Sequence, residues 1–366
     1  MSTTGDLLMA MPLDSERLAR VKTAYTTRHV RPESFVALTG TDRHPRPGDL
    51  VLARVGRIGQ HQRIERPDGR KACMFPGDEI LVCYGARYAP DQFEAEVPAD
   101  LGPCHLVAAG GVAGRVVSWH VDMDQPTEIE PLGLAANAEG VPLNLRDWRL
   151  PVPAARHSGR RPRTIAVVGA AMNAGKTTAA AGIVRGLVRA GHSVGAAKVT
   201  GTGAGGDPWL LTDAGAQPVL DFTHAGWATT YRCNRLEVEG ILRTLTGHLA
   251  AADVDVIVLE VADGVFQAET AALLASPVFA RLVDGVVFAA GDALGAVAGV
   301  TRMRQLSLPV IAASGLLTAS PLAVREARAS IDVPVLTFEE LCGFAPSEAV
   351  RVLLDRHARP RLVRSA

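Results

Sequence analysis

From residue 164 onward the chain alternates between short, nearly continuous apolar runs and longer amphipathic stretches. The runs "TIAVVG", "SVGAAKV", "VDVIVLE", "DGVVFAA", "LPVIAAS" and "VPVLTF" have the length of strands. Between them lie helical segments at 176–190, 235–252, 293–307 and 321–330, and "PSEAVRVLLDRHA" reads as a closing helix. Strands without polar alternation are buried on both faces, so the pattern predicts a parallel sheet covered by helices.

The first half has a different texture. From 31 to 150 short apolar runs such as "GDLVLARVGRIG", "PGDEILVCYG", "CHLVAAGG" and "AGRVVSWHV" are broken by Gly and Pro. Strands and turns at this spacing predict a smaller β-rich, barrel-like domain. Ahead of it, 14–29 reads as a helix with Asp14 or Ser15 as N-cap. The Pro- and Arg-rich "LPVPAARHSGRRPR" at 150–163 has no periodicity and reads as a linker. The fold class expected is α/β, a parallel-sheet domain preceded by the β-rich one. Its divisions are a helical segment over 1–30, a β-rich domain over 31–150, a linker over 151–163 and a final domain over 164–366.

Composition narrows the functional classes. The net charge is zero, and no window reaches the roughly 18 uninterrupted apolar residues of a membrane span. Cys73, Cys83, Cys104, Cys233 and Cys342 are scattered without a C-x-x-C pair, as in reduced cytosolic proteins. A soluble, cytoplasmic protein without a membrane partner is expected. Residues 31–150 carry 13 Lys and Arg against 17 Asp and Glu, a net of −4, with few aromatics. Nucleic-acid modules are basic, so RNA binding is not expected there, and a substrate lid or an oligomerisation module is. Cys104–His105 are adjacent on a strand, point to opposite faces and read as structural.

Of 38 basic residues only Lys22, Lys71, Lys176 and Lys198 are lysines. An ammonium is a compact point charge, not interchangeable with guanidinium. Lys176 belongs to "TIAVVGAAMNAGKTT", where an apolar strand runs into Gly175-Lys176-Thr177 and an alanine-rich helix. A loop of this kind directs backbone N–H groups and a helix N-terminus at a phosphate. Gly175 permits close approach, Lys176 supplies charge and Thr177 can ligate Mg2+. Five residues separate Gly169 from Gly175, one more than the standard loop.

That spacing resembles dethiobiotin synthetase and the wider class of P-loop proteins related to MinD and cobyrinic acid amide synthetase. Ala170 stands where dethiobiotin synthetase has Thr, and Ala171 where the MinD-type members have a second lysine. The resemblance covers about residues 164–340. It implies ATP and Mg2+ as cofactors, with Gly169, Asn173, Ala174, Gly175, Lys176, Thr177 and Thr178 holding the nucleotide. It also implies that Lys198, at the end of the second strand, stands near substrate and γ-phosphate, making Lys176 and Lys198 the catalytic cations. Asp207 matches a Mg2+-holding aspartate, with Asp213 and Asp221 as lesser alternatives. Glu260 ends the strand Val256 to Leu259 in a Walker B arrangement, and Val261 replaces a family glycine. Thr177, Asp207 and Glu260 are the expected metal set.

The activity implied is phosphoryl transfer to a small acid, followed by closure onto an amine, as in an ATP-dependent ligase; a homo-oligomer is expected. Two alternatives stay open. One is a small-molecule kinase. The other is a nucleotide-dependent accessory or switch protein using ATP or GTP, as in the GTP-binding partner of molybdenum cofactor synthesis.

Overall fold

The computed structural model describes residues 11–153 and 161–343. The closing helix expected at 346–358 and the centre of the 151–163 linker lie outside the described residues. The chain divides into two compact units. The first comprises Met1–Pro151, Gly201–Gly206 and Phe222–Cys233; the second comprises Val152–Thr200, Asp207–Asp221 and Asn234–Ala366.

In the second unit strand β1 (Arg163–Gly169) leads into helix α1 (Lys176–Arg189). Strand β2 (Val194–Thr200), helix α2 (Gly206–Asp213) and strand β3 (Val219–Asp221) follow. Helix α3 (Arg235–Ala251) precedes strand β4 (Val256–Val261). After α4 (Ala268–Leu274) and α5 (Pro277–Leu282) come strand β5 (Gly285–Ala289), helix α6 (Ala293–Gln305) and strand β6 (Val310–Ser314). Helices α7 (Pro321–Ser330) and α8 (Phe338–Cys342) close the described chain. The six strands pair in parallel in the order β3-β2-β4-β1-β5-β6.

Both sheet faces are dry, as the unbroken apolar runs require. Ile165, Val167, Val194, Ala196, Val256 and Val258 form one face, packed with Ala180, Ile183, Val184 and Leu187 of α1. Ala166, Val168, Ile257 and Leu259 point the other way and are equally buried. Burying each large aliphatic side chain is worth about 1.5–3 kcal/mol, which fixes the register and therefore the strand ends.

Two local expectations need correction. "VPVLTF" is not a strand: Val335 makes a single parallel bridge to Ala313, because Pro334 has no N–H to donate and α8 starts at Phe338. The Gly-rich stretch after β2, where the apolar pattern names neither strand nor helix, contains α2 and the short edge strand β3.

The first unit is β-rich, and its pairings close a ring. Leu50–Val55 pairs with Glu79–Tyr84, which pairs with Val112–Trp119. Val112–Trp119 pairs with Cys104–Ala108, and Cys104–Ala108 and Leu50–Val55 both pair with Thr127–Ala136. Val51, Ala53, Val55, Ile80, Val82 and Tyr84 fall in one core cluster, while Leu50, Leu52, Leu81 and Cys83 fall in another. The period-2 alternation thus meets apolar partners on both sides of the barrel wall. Asp14 does cap a helix, accepting from the Arg17 N–H at 2.6 Å, but that helix spans only Ser15–Arg20. Lys22–Thr23 leaves it to pair with Glu79–Tyr84. The five cysteines are free thiols, and among the described residues no helix is long and apolar enough to cross a membrane.

Candidate functional site

Strand β1 ends at Gly169 and the chain turns through the loop into α1. Asn173 and Gly175 take positive φ, 62° and 90°, and the Ala170 N–H bonds to Ala289 O at 2.9 Å. Gly175 must be glycine for two reasons: its backbone is left-handed, and a Cβ would stand 2.9 Å from the Leu316 nitrogen. The Lys176 side chain is buried and folds back over the loop, with Nζ donating to Ala171 O at 2.7 Å. Burial pushes its pKa down, against the pull of Glu260 and Asp263.

Register carries the remaining charges to the same end of the sheet. Lys198 of β2 and Glu260 of β4 are directly paired, and Val167 of β1 pairs with Glu260 from the other side. Thr177, in the first turn of α1, lies with Oγ1 3.1 Å from Glu260 Oε1 and 3.2 Å from Asp207 Oδ1. One hydroxyl proton cannot serve both carboxylates at once. Lys198 forms an ion pair with Asp207.

The electrostatics follow from burial among these neighbours. Burial and then the adjacent Asp207 raise the Glu260 pKa, opposed by Lys198 and Lys176. Burial opposes charge on Lys198 as well, but Asp207 and Glu260 outweigh it and its pKa rises. Asp207 is the mirror case, held below the usual carboxylate range by Lys198 despite burial. Glu260 Oε2 is buried and has no hydrogen-bond partner.

Lys176, Thr177, Lys198, Asp207 and Glu260 are therefore neighbours, and Gly169, Asn173, Ala174, Gly175 and Thr178 form or flank the loop beside them. Asp213 ends α2 and is exposed. Asp221 is buried on β3, paired in register with Lys198. Asp263, which no motif singled out, adds a half-buried carboxyl whose pKa is raised by desolvation against Lys176 and Lys198. The "DG" after the strand was its only signal. Among the described residues no three His, Cys, Asp or Glu side chains gather as a self-sufficient metal cluster.

Beside the loop is a cavity of about 250 Å3, lined by Thr178, Ser314, Leu316, Thr318 and Phe338 among others. The turn after β6 makes its wall: Gly315 has φ 102°, and the Leu316 N–H bonds to Ala174 O at 3.0 Å. The stretch "AASGLLTASP" thus meets the phosphate loop directly.

The second unit has the P-loop architecture. Its parallel strand order, its loop and the helix that follows define it. No family model and no curated protein matches the chain. Solved structures with low similarity include the signal recognition particle receptor FtsY from Elizabethkingia anophelis, 17% identical over 57% of this chain and 70% of that one, with a TM-score of 0.37. Signal recognition particle 54 kDa protein from Aeropyrum pernix K1, in complex with GDP, is 21% identical over 56% of this chain, with a TM-score of 0.36. This chain spans 48% of that protein's length. A nucleotide-binding protein from Archaeoglobus fulgidus in complex with ADP is 14% identical over 50% of this chain and 86% of that one, with a TM-score of 0.35.

Proposed function

We propose that the protein is a nucleotide-dependent P-loop protein whose second unit binds a nucleoside triphosphate with Mg2+ and cleaves its terminal phosphate. The observation that carries this reading is the meeting of Thr177 with Asp207 and Glu260 beside the loop lysine. The loop N–H groups and Lys176 receive the phosphates, Lys176 exchanging its bond to Ala171 O for a phosphate oxygen. Thr177, Asp207 and Glu260 are the residues to hold Mg2+. The buried, partnerless Glu260 Oε2 and the doubly shared Thr177 hydroxyl suit a hydrated cation. Bound there, Mg2+ would supply charge neutralisation to the phosphates. Lys198 stabilises charge developing at the terminal phosphate. The cavity at Thr318 and Phe338 takes the base.

A second reading has one observation in its favour. Lys198 is a second, partly buried cation at the strand ends, beyond the loop lysine. It suits phosphoryl transfer to an oxygen of a small acid, with or without ligation to an amine, as the resemblance to dethiobiotin synthetase implies. Phosphorus NMR of the protein with Mg2+ and ATP, then GTP, separates the two. Phosphate release without any added acid or amine supports the first reading, and consumption only with a co-substrate supports the second. Neither binding nor consumption of either nucleotide contradicts both.

A further inference from the structure

One side chain of the first unit holds the segment that leads to Asp207. Gly201–Gly206 belongs to that unit, although Lys198 of β2 lies just before it and Asp207 of α2 at its end. Four of its six residues are glycine, so side chains fix little of its path.

Backbone bonds fix it instead. The Gly201 N–H donates to Thr230 Oγ1 at 2.8 Å, the Gly203 N–H to Ala228 O at 2.8 Å and the Gly205 N–H to Glu65 Oε2 at 2.9 Å. The bonds fall on alternate residues, and these three are the buried ones of the segment. A Cβ on Gly110 would stand 2.0 Å from Gly203 O, so the turn there meets bare backbone.

Glu65 is the charged member of this clamp. It is 4% exposed at the end of the strand Arg63–Glu65, and its own N–H is tied to Ala109 O at 2.8 Å. Among the described residues it has no ion-pair partner. A buried carboxylate is costly unless it accepts hydrogen bonds, and Gly205 supplies one from 140 residues away. A charge-assisted bond of this kind is about twice as strong as a neutral one. Thr230 and Ala228 hold the start of the segment, and Glu65 holds its end, two residues before Asp207.

Asp207 needs that anchor. Its carboxylate lies 3.2 Å from Thr177 Oγ1 and is paired with Lys198. Helix α2 has eight residues, and an isolated helix of that length is marginal in water. Mg2+ demands near-ideal octahedral geometry at about 2.0–2.1 Å, so a carboxylate on a drifting backbone binds it poorly.

We propose that Glu65 is a positioning residue for the Mg2+ site, fixing Asp207 through Gly205. The inference rests on the reading of Thr177, Asp207 and Glu260 as the residues that hold Mg2+. Coupling is reciprocal, so binding of the Mg2+–nucleotide complex must in turn tighten the bond between Glu65 and Gly205.

The test is calorimetry of the full-length protein with non-hydrolysable ATP and GTP analogues, each with Mg2+ and with chelator. Glu65→Leu should lower the affinity for the Mg2+ complex by about tenfold and leave the metal-free affinity unchanged. Glu65→Gln, which keeps an acceptor for Gly205, should lose much less. In the wild-type protein with analogue bound, adding Mg2+ should slow hydrogen exchange over Gly201–Gly206, a measurement that stands alone if Glu65→Leu does not fold. A lowered thermal midpoint in Glu65→Leu with an unchanged ratio of Mg2+ to metal-free affinity would make Glu65 merely structural and overturn the proposal. Exchange over Gly201–Gly206 that ignores Mg2+ would overturn it as well. Wild-type binding that does not depend on Mg2+ would overturn the metal reading itself, and the proposal with it.

Discussion

The Thr177 hydroxyl stands 3.1 Å from Glu260 Oε1, joining the first turn of α1 to the end of β4. Nothing in either local sequence creates this contact. It exists because β1 and β4 are hydrogen-bonded neighbours whose register puts Glu260 opposite Val167. Glu260 is buried there, its pKa raised first by burial and then by Asp207. A desolvated carboxyl with a specific charge partner at the strand ends is the environment in which functional groups are found.

Replacing Glu260 tests its role in turnover. Glu260→Gln keeps the shape and removes the charge. Nucleotide turnover at saturating Mg2+ should fall about a hundred- to thousand-fold, equivalent to about 2.7–4 kcal/mol. Nucleotide affinity should fall much less, since the loop N–H groups and Lys176 remain. Unchanged turnover would reduce Glu260 to a strand end.

Lys198 and Asp207 support each other's charge. Their side chains are 11% and 30% exposed, so the pair lies between a surface and a fully buried bridge. Lys198→Met strands the carboxylate and should cost about 1–3 kcal/mol in denaturant unfolding. Lys198→Met combined with Asp207→Leu should recover much of that loss. A double variant no more stable than the single one would show that the pair is not coupled.

Gly315 is a backbone requirement of the cavity wall. Its φ is 102°, and a Cβ there would stand 2.3 Å from Ala174 O. Gly315→Ala should destabilise by more than about 1 kcal/mol and lower the thermal midpoint by several degrees. A midpoint within a degree of wild type would mean that the turn relaxes freely.

His61, in the first unit, should make stability fall in acid. Burial and then Arg87 push its pKa from 6.5 down to about 4. The unfolded chain binds this proton below its ordinary pKa, while the folded chain resists until about 4. The stabilisation is complete at neutral pH and is lost as pH falls between those values, by at most about 3 kcal/mol. Unfolding free energies of wild type and His61→Gln should converge over that window. A constant difference from neutral pH to 4 would remove His61 from the account.

What the sequence made legible was whatever is local in the chain. Gly175-Lys176-Thr177 between an apolar strand and a helix is a contiguous signal, and strand β4 ending in Glu260 is another. The parallel sheet followed from unbroken apolar runs. The barrel-like domain was legible from the spacing of strands and turns, but not which strands close it, because ring pairing joins Cys104–Ala108 to Thr127–Ala136 through register, not composition. "VPVLTF" misled because its apolar pattern is strand-like while Pro334 removes a ladder donor. Glu65 beside Gly205 was illegible for a simpler reason: 140 residues separate them, and no periodicity links them.

The central claim is that this loop holds a Mg2+-bound nucleotide through Lys176, and equilibrium binding measures it most directly. Calorimetry with a non-hydrolysable nucleoside triphosphate analogue, with Mg2+ and with chelator, should give binding that weakens when the metal is removed. Lys176→Ala should abolish binding while circular dichroism stays unchanged. Full binding by Lys176→Ala, or no binding by the wild-type protein with either an adenine or a guanine nucleotide, would contradict the account.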